Sequence, residues 1–186
     1  GAKGPCFTVS TACASSNHAM GLAFQMVRSG ATKVMLTGGS DSMLCFGGIK
    51  AWEGLRVLSP DGCRPFCKTR NGMVQGEGAG IFVFENMEHA KARGASILAE
   101  VAGFSMTADA ADIVVPSQRG AARAMAGAIA DAGMNADQVG YVNAHGTGTL
   151  ANDKIEIASL RDAFGQFSER MAVSSTKSMH GHIMGR

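Results

Sequence analysis

Pro5-Cys6-Phe7-Thr8-Val9-Ser10-Thr11-Ala12-Cys13-Ala14-Ser15-Ser16 is the stretch from which the rest of the chain can be read. Its first six residues form a short apolar run suited to a buried strand, and Thr11-Ala12-Cys13 turns that run directly into a helix. From Ala14 to Ser29 the period changes: Ala19, Leu22, Ala23, Met26 and Val27 fall at i, i+3, i+4, i+7 and i+8. Arg28 stands in the last turn and Gly30 just beyond it, a natural helix stop. Met20 and Phe24 add apolar mass on another face, which predicts a helix buried nearly all round.

Working outward, the alternation continues. Strands are predicted at Lys33–Thr37, ending in Gly38-Gly39, then at Ile81–Phe84 (fully buried), Ile97–Phe104, Gln138–Asn143 and Met171–Ser174. Helices are predicted at Met87–Arg93, closed by Gly94, at Ser117–Ala132, followed by Gly133, and at Asn152–Phe164. Residues 53–78 read as irregular, with a turn at Ser59-Pro60-Asp61-Gly62. Repeated strand-then-helix order argues for a layered α/β fold with much parallel sheet. The first strand starts close to the first residue and the last helix barely begins before Arg186, the pattern expected of an internal fragment.

Composition removes several classes of function. At 46% apolar and 17% charged residues the chain is too hydrophobic for disorder, and its 25 glycines follow no collagen period. No apolar run approaches the roughly 18 residues of a membrane span. A net charge of +2, with Lys and Arg scattered, gives no nucleic-acid footprint. The cysteines number five, and no secretory signal is visible, so thiols in a reducing, cytoplasmic compartment are expected. Cys63, Cys67, His180 and His182 lack the second close ligand pair of a zinc ribbon, so no metal is expected. Gly76-x-Gly78-x-Gly80 is not the dinucleotide fingerprint, and Thr176-Lys177-Ser178 lacks the upstream glycine of a phosphate loop.

Three strand ends carry the candidate chemistry. Cys13 sits where a strand becomes a helix N-terminus, whose unpaired N–H groups stabilise a thiolate and can hold a developing oxyanion. His145 leaves the strand Tyr141-Val142-Asn143-Ala144 into Gly146-Thr147-Gly148-Thr149, a place where open α/β sheets bind ligands. Ser174-Ser175-Thr176-Lys177-Ser178-Met179-His180-Gly181-His182 brings a lysine and two histidines to a third strand end. Taken singly, Cys13 reads equally well as an inert core cysteine, and His145 as a loop histidine.

Together, Thr11–Ser16, Asn143–Thr149, Ser174–Lys177 and Gly181-His182 resemble the β-ketoacyl-[acyl-carrier-protein] synthases in residues, order and separation. Arg64-Pro65-Phe66, the glycines around Glu77, and Asp153-x-x-Glu156 extend the resemblance over essentially the whole chain. It implies the thiolase-like five-layered α-β-α-β-α sandwich, working as a homodimer. Residues 1–94 would be the later part of the N-terminal half and 95–186 the early part of the C-terminal half. It further implies that Cys13 accepts an acyl group from acyl carrier protein, and that His145 and His182 bind the malonyl thioester carbonyl and promote loss of CO2. Lys177 would tune that network, Glu156 would support it, and Thr147 and Thr149 would hold the phosphopantetheine arm that carries the substrates. The enzyme itself would bind no cofactor, and His180 would be structural.

Departures from the family pattern are few. Cys67 and Asn71 stand where two aspartates are usual, which implies a changed hydrogen-bond network rather than lost catalysis. Trp52 precedes Arg56-Val57-Leu58-Ser59 where relatives more often carry Phe near the acyl pocket, and Arg186 replaces an alanine. With Met179–Gly185 these features look most like the rhizobial nodulation branch, which makes the unsaturated acyl chain of lipo-chitooligosaccharide signals and is associated with the inner membrane. General fatty-acid elongation is the other catalytic reading. Non-catalytic chain-length partners characteristically lack the nucleophilic cysteine, and a thiolase would carry a second catalytic cysteine late in the chain, where this one has none.

Overall fold

The computed structural model describes residues 1–112 and 114–185; the Arg186 departure lies outside the described residues. Contacts divide the chain into two units. The first holds Gly1–Asp41, Gly78–Ala102 and the residues from Ile183, and the second holds Ser42–Glu77 and Gly103–His182. Among the described residues no helix is long and apolar enough to cross a membrane.

In the first unit, α1 (Ser15–Arg28) follows the predicted period. Ser16, Gly21 and Ala23 are its buried positions, while most of its remaining residues are only half-buried, less than the all-round burial expected. Its Phe24 ring instead lies under the Arg28 guanidinium, 4.6 Å from the ring centroid. β1 (Val34–Ser42) runs straight through Gly38-Gly39 instead of ending there. Gly38 has φ +144° and lies so close to the Gly80 backbone that a Cβ would collide with it, so the glycine continues the strand by permitting contact with β2 (Glu77–Glu85). α3 (Met87–Ala92) is capped by Asn86, whose Oδ1 accepts from the Glu88 and His89 N–H groups at 3.0 and 3.2 Å.

Two strand expectations fail here, and the full burial expected of a third. Ile81, Phe82 and Val83 are half or more exposed rather than fully buried, in a β1–β2 sheet of two strands among the described residues. Ile97–Phe104 forms no ladder among the described residues, and Ile97 and Leu98 are exposed. Pro5–Ser10 likewise carries no ladder among the described residues. Strand propensity expresses itself only against a partner strand.

The second unit holds the better-packed core. α2 (Phe46–Gly54) has no counterpart in the sequence periodicity, because Gly47 and Gly48 interrupt it. β3 (Tyr141–Asn143) and β4 (Ala172–Ser174) pair in parallel, Val142 opposite Val173. A 3-10 turn at Ala136–Gln138 replaces the start of the predicted strand. α4 (Gln118–Asp131) starts at Ser117, whose hydroxyl accepts from the Gly120 N–H. α5 (Leu150–Phe164) starts two residues before the predicted helix, with the Thr149 side chain capping Asn152 N–H. Leu160, Phe164 and Met171 form the buried centre, flanked by Met125 and Ile129 of α4 and by Val142 and Val173 of the sheet. This packing seats the first turn of α5 beneath the 145–149 loop.

Leu160 is 2% exposed at that centre. Leu160→Ala is expected to lower stability by about 3 kcal/mol, as buried leucine truncations do. Urea unfolding followed by circular dichroism on the protein carrying this sequence measures it.

Candidate active site

Cys13 belongs to the first unit and stands on a strained elbow. Ala12 has φ +52°, the left-handed region that residues with a Cβ rarely occupy. The kink lets Ala14 N–H donate to the Thr11 carbonyl at 3.2 Å and Ser15 N–H donate to the Ala12 carbonyl at 3.1 Å. Ser15 Oγ locks the same turn, donating to the Ala12 carbonyl at 2.6 Å and accepting from Thr11 N–H at 2.9 Å. Cys13 is thereby left half-buried ahead of a 14-residue helix, whose first-turn dipoles favour an anion.

The second unit builds the histidine loop from α5 upward. Asp153 and Glu156 stand three apart on that helix and so share a face. Both are buried. Glu156 accepts the His145 N–H at 2.6 Å and the Gly146 N–H at 2.7 Å. Asp153 accepts the Phe66 N–H at 2.7 Å and the Gly148 N–H at 3.2 Å, with Arg70 Nε at 3.6 Å. Asn152 Nδ2 donates to both carboxylates at 3.2 Å. Every carboxylate oxygen thus receives a protein donor, which commits the pair to holding backbone rather than a metal.

The loop tolerates this grip through its glycines. Gly146 has φ +41°, and a Cβ there would strike Ser175 and the Phe66 ring. Thr147 is buried and its hydroxyl meets that of Thr149 at 2.9 Å. From the far side, Lys177 Nζ donates to the His145 carbonyl at 2.6 Å, and Ser175 Oγ donates to the Gly146 carbonyl at 2.8 Å. Lys177 opens the one-turn helix α6 (Lys177–His180) directly after β4.

His182 is fixed by its backbone. Its N–H donates to the Val74 carbonyl at 2.6 Å and its carbonyl accepts Gly76 N–H at 2.9 Å. The His145 and His182 rings meet edge to face, 5.3 Å between centroids. Burial, then the Lys177 charge, pushes the His145 pKa down to about 4 despite Asp153. Burial, then His145, Lys177 and His180, pushes His182 down to about 3. Both imidazoles are therefore neutral near pH 7, each with one N–H to donate. His180 Nδ1 lies 2.8 Å from the Gly181 carbonyl. Of the predicted residues, the structure brings His145, His182, Lys177, Glu156, Thr147 and Thr149 into one unit.

The unusual loop residues are accommodated by hydrogen bonds. Asn71 Oδ1 accepts from Ser59 Oγ at 2.6 Å and Arg64 at 3.2 Å, while its Nδ2 donates to Asp61 at 3.0 Å. Asn71, then Arg64 and Ser59, hold the Asp61 pKa below the usual carboxylate range. Cys67 Sγ lies 3.3 Å from Thr69 Oγ1 and its thiol pKa is lowered by Thr69. Cys63 is instead raised by burial. Sequence reasoning missed the roles of Asp153, Arg70 and Ser175. Asp153 was findable, since its spacing from Glu156 puts the two carboxylates on one helix face.

Comparison with known proteins bears on this geometry. Residues 1–90 match the family described as beta-ketoacyl synthase, N-terminal domain, and residues 98–185 match its C-terminal domain. The chain is 55% identical over 185 residues to nodulation protein E of Rhizobium leguminosarum bv. trifolii, covering 100% of this chain and 46% of that protein. It is 45% identical over 193 residues to 3-oxoacyl-[acyl-carrier-protein] synthase 2 of Synechocystis, again covering 100% and 46%. A solved type II polyketide ketosynthase, in complex with its acyl-carrier protein, superposes with a TM-score of 0.92 at 34% identity, over 95% of this chain and 46% of that one. The chain spans about half the length of the curated relatives it matches.

Two outcomes are expected. Glu156→Ala leaves the half-buried His145 and buried Gly146 N–H groups without their acceptor, which should cost about 3 kcal/mol in denaturant unfolding. The histidines titrate near 6.5 unfolded and near 4 and 3 folded, so on acidification the unfolded chain binds the protons first. Their contribution to stability is complete above about pH 6.5 and is lost as pH falls towards those folded values. Urea midpoints between about pH 8 and 4 should show that acid limb, and the double variant His145→Asn, His182→Asn should flatten it.

Proposed function

The chain belongs to the β-ketoacyl synthase family and carries part of its thiolase-like α/β fold, and from that premise we propose that it is the catalytic portion of a 3-oxoacyl-[acyl-carrier-protein] synthase. The observation that carries the reading is the pair of neutral imidazoles, half-buried His145 and buried His182, with ring centroids 5.3 Å apart, the His145 backbone being held by Glu156 on one side and Lys177 on the other. Two neutral N–H donors suit the oxygen of an enolate, because they stabilise developing negative charge without bringing a formal charge of their own.

The reaction then divides into two transfers. The Cys13 thiolate attacks the carbonyl carbon of an acyl thioester on acyl carrier protein; the phosphopantetheine thiolate leaves and takes up a proton. Next, malonyl-carrier protein binds with its thioester carbonyl oxygen at His145 and His182, and Thr147 and Thr149 hold the phosphopantetheine arm. The bond to the carboxylate breaks, CO2 departs, and the electron pair passes into the enolate held by the two imidazoles. Its carbon attacks the acyl-Cys13 carbonyl, forming the new carbon–carbon bond and expelling the Cys13 thiolate. A thiolate favoured by a helix N-terminus is both a competent nucleophile and a good leaving group. No cofactor beyond the carrier arm enters.

Similarity to nodulation protein E supports assigning the acyl product to nodulation signals. Trp52, half-buried on α2, is the residue through which the acyl pocket would depart from general fatty-acid elongation. The partner is acyl carrier protein, an acidic protein that the exposed Arg56 helps to dock, and the working form is a homodimer. The cysteine thiols agree with a cytoplasmic site, at the inner membrane in the nodulation reading.

Incubation of the protein carrying this sequence with acyl-carrier protein thioesters should add an acyl mass to the Cys13 peptide, and Cys13→Ala should show none. His145→Ala and His182→Ala should still acylate while CO2 release from malonyl-carrier protein falls about 100-fold or more. Absence of an adduct across a range of chain lengths would overturn the catalytic assignment in favour of a non-catalytic partner subunit.

A further inference from the structure

Gln75 is a buried amide with nothing to bond. It is 9% exposed, and among the described residues neither its Nε2 nor its Oε1 has a hydrogen-bond partner. A buried polar group left unmade is destabilising, and a leucine would fill the same volume without that penalty. Such a residue beside a reactive centre calls for a ligand.

Its position is set by the backbone of the histidine site. The two hydrogen bonds that fix His182, from its N–H to Val74 and to its carbonyl from Gly76, bracket Gln75 and make a parallel bridge with Gln75 opposite His182. Residues opposite one another across such a bridge project their side chains from the same face, roughly 5 Å apart. Gly181 keeps the two segments close: at φ +72° its Cβ position would lie 2.9 Å from the Val74 carbonyl oxygen and 3.1 Å from the Gln75 carbonyl. The amide therefore leaves the backbone on the side from which the His182 imidazole leaves.

We propose that Gln75 determines specificity for the extender substrate, its Nε2–H donating to an oxygen of the malonyl thioester bound at His145 and His182. This rests on the condensing-enzyme reading above. A malonyl thioester offers carboxylate as well as carbonyl oxygens, whereas the alkyl tail of an acyl substrate offers none, so one amide separates extender from acyl donor. An uncharged donor also suits a carboxylate that must depart as CO2, since a lysine or arginine would hold the anion more tightly and oppose its loss.

The test compares Gln75→Leu with the unsubstituted protein in two assays: acylation of Cys13 by an acyl-carrier thioester, and CO2 release from malonyl-carrier protein. Acylation should stay within about twofold, while KM for malonyl-carrier protein rises roughly tenfold, the equivalent of one lost hydrogen bond. The thermal midpoint should hold or rise, because two unpaired polar atoms are gone, so the loss cannot be attributed to unfolding. Gln75→Glu, which faces the malonyl carboxylate with like charge, should be worse than Gln75→Leu. Unchanged malonyl kinetics in Gln75→Leu would overturn the assignment and leave the condensing reading standing. Absence of both acylation and CO2 release in the unsubstituted protein would instead sink that reading and this inference with it.

Discussion

The grip of two helical carboxylates on a loop backbone is the constraint from which the second unit's chemistry follows. Asp153 and Glu156, three residues apart at the start of α5, take up the N–H groups of His145, Gly146, Gly148 and Phe66. Those donors would otherwise be buried without acceptors, at a cost that a marginally stable fold does not carry lightly. Because the carboxylates are spent on the main chain, His145 is positioned through its backbone and its imidazole stays available. Lys177 completes the arrangement from the opposite side by taking the His145 carbonyl. Burial, with the same lysine charge adding to it, keeps the imidazoles neutral.

Cys13 is positioned by a different device, strain rather than charge. Ala12 accepts an unfavourable φ so that the chain can pass from an extended segment into α1 within a single turn, and Ser15 holds that turn with its hydroxyl. Small residues stand at 12, 14 and 15, as the turn requires.

Much of this was legible in the residues. The period change at Ala14, the helix starting near Ser117 and the Gly-Thr-Gly-Thr loop after Tyr141–Ala144 all read through to the structure, because each depends on neighbours within a few positions. The failures depend on distant partners. Ile81–Phe84 has the composition of a covered strand, yet its burial depends on a layer the sequence motif does not name. Ile97–Phe104 has strand-forming residues and pairs with no strand among the described residues. The Ala12 strain, the Arg70 contact with Asp153 and the orphaned Gln75 amide are equally invisible to periodicity, since they arise only when segments far apart in sequence are brought together.

The central claim is that His145 and His182 work as uncharged donors in a preformed pair. Nitrogen-15 NMR of the two labelled imidazoles, assigned by His145→Asn and His182→Asn, reports their protonation state directly. The account predicts that both rings carry a single proton at pH 7 and remain neutral as the pH is lowered to about 5, below the ordinary histidine range. An imidazolium at either position at pH 7 would contradict it.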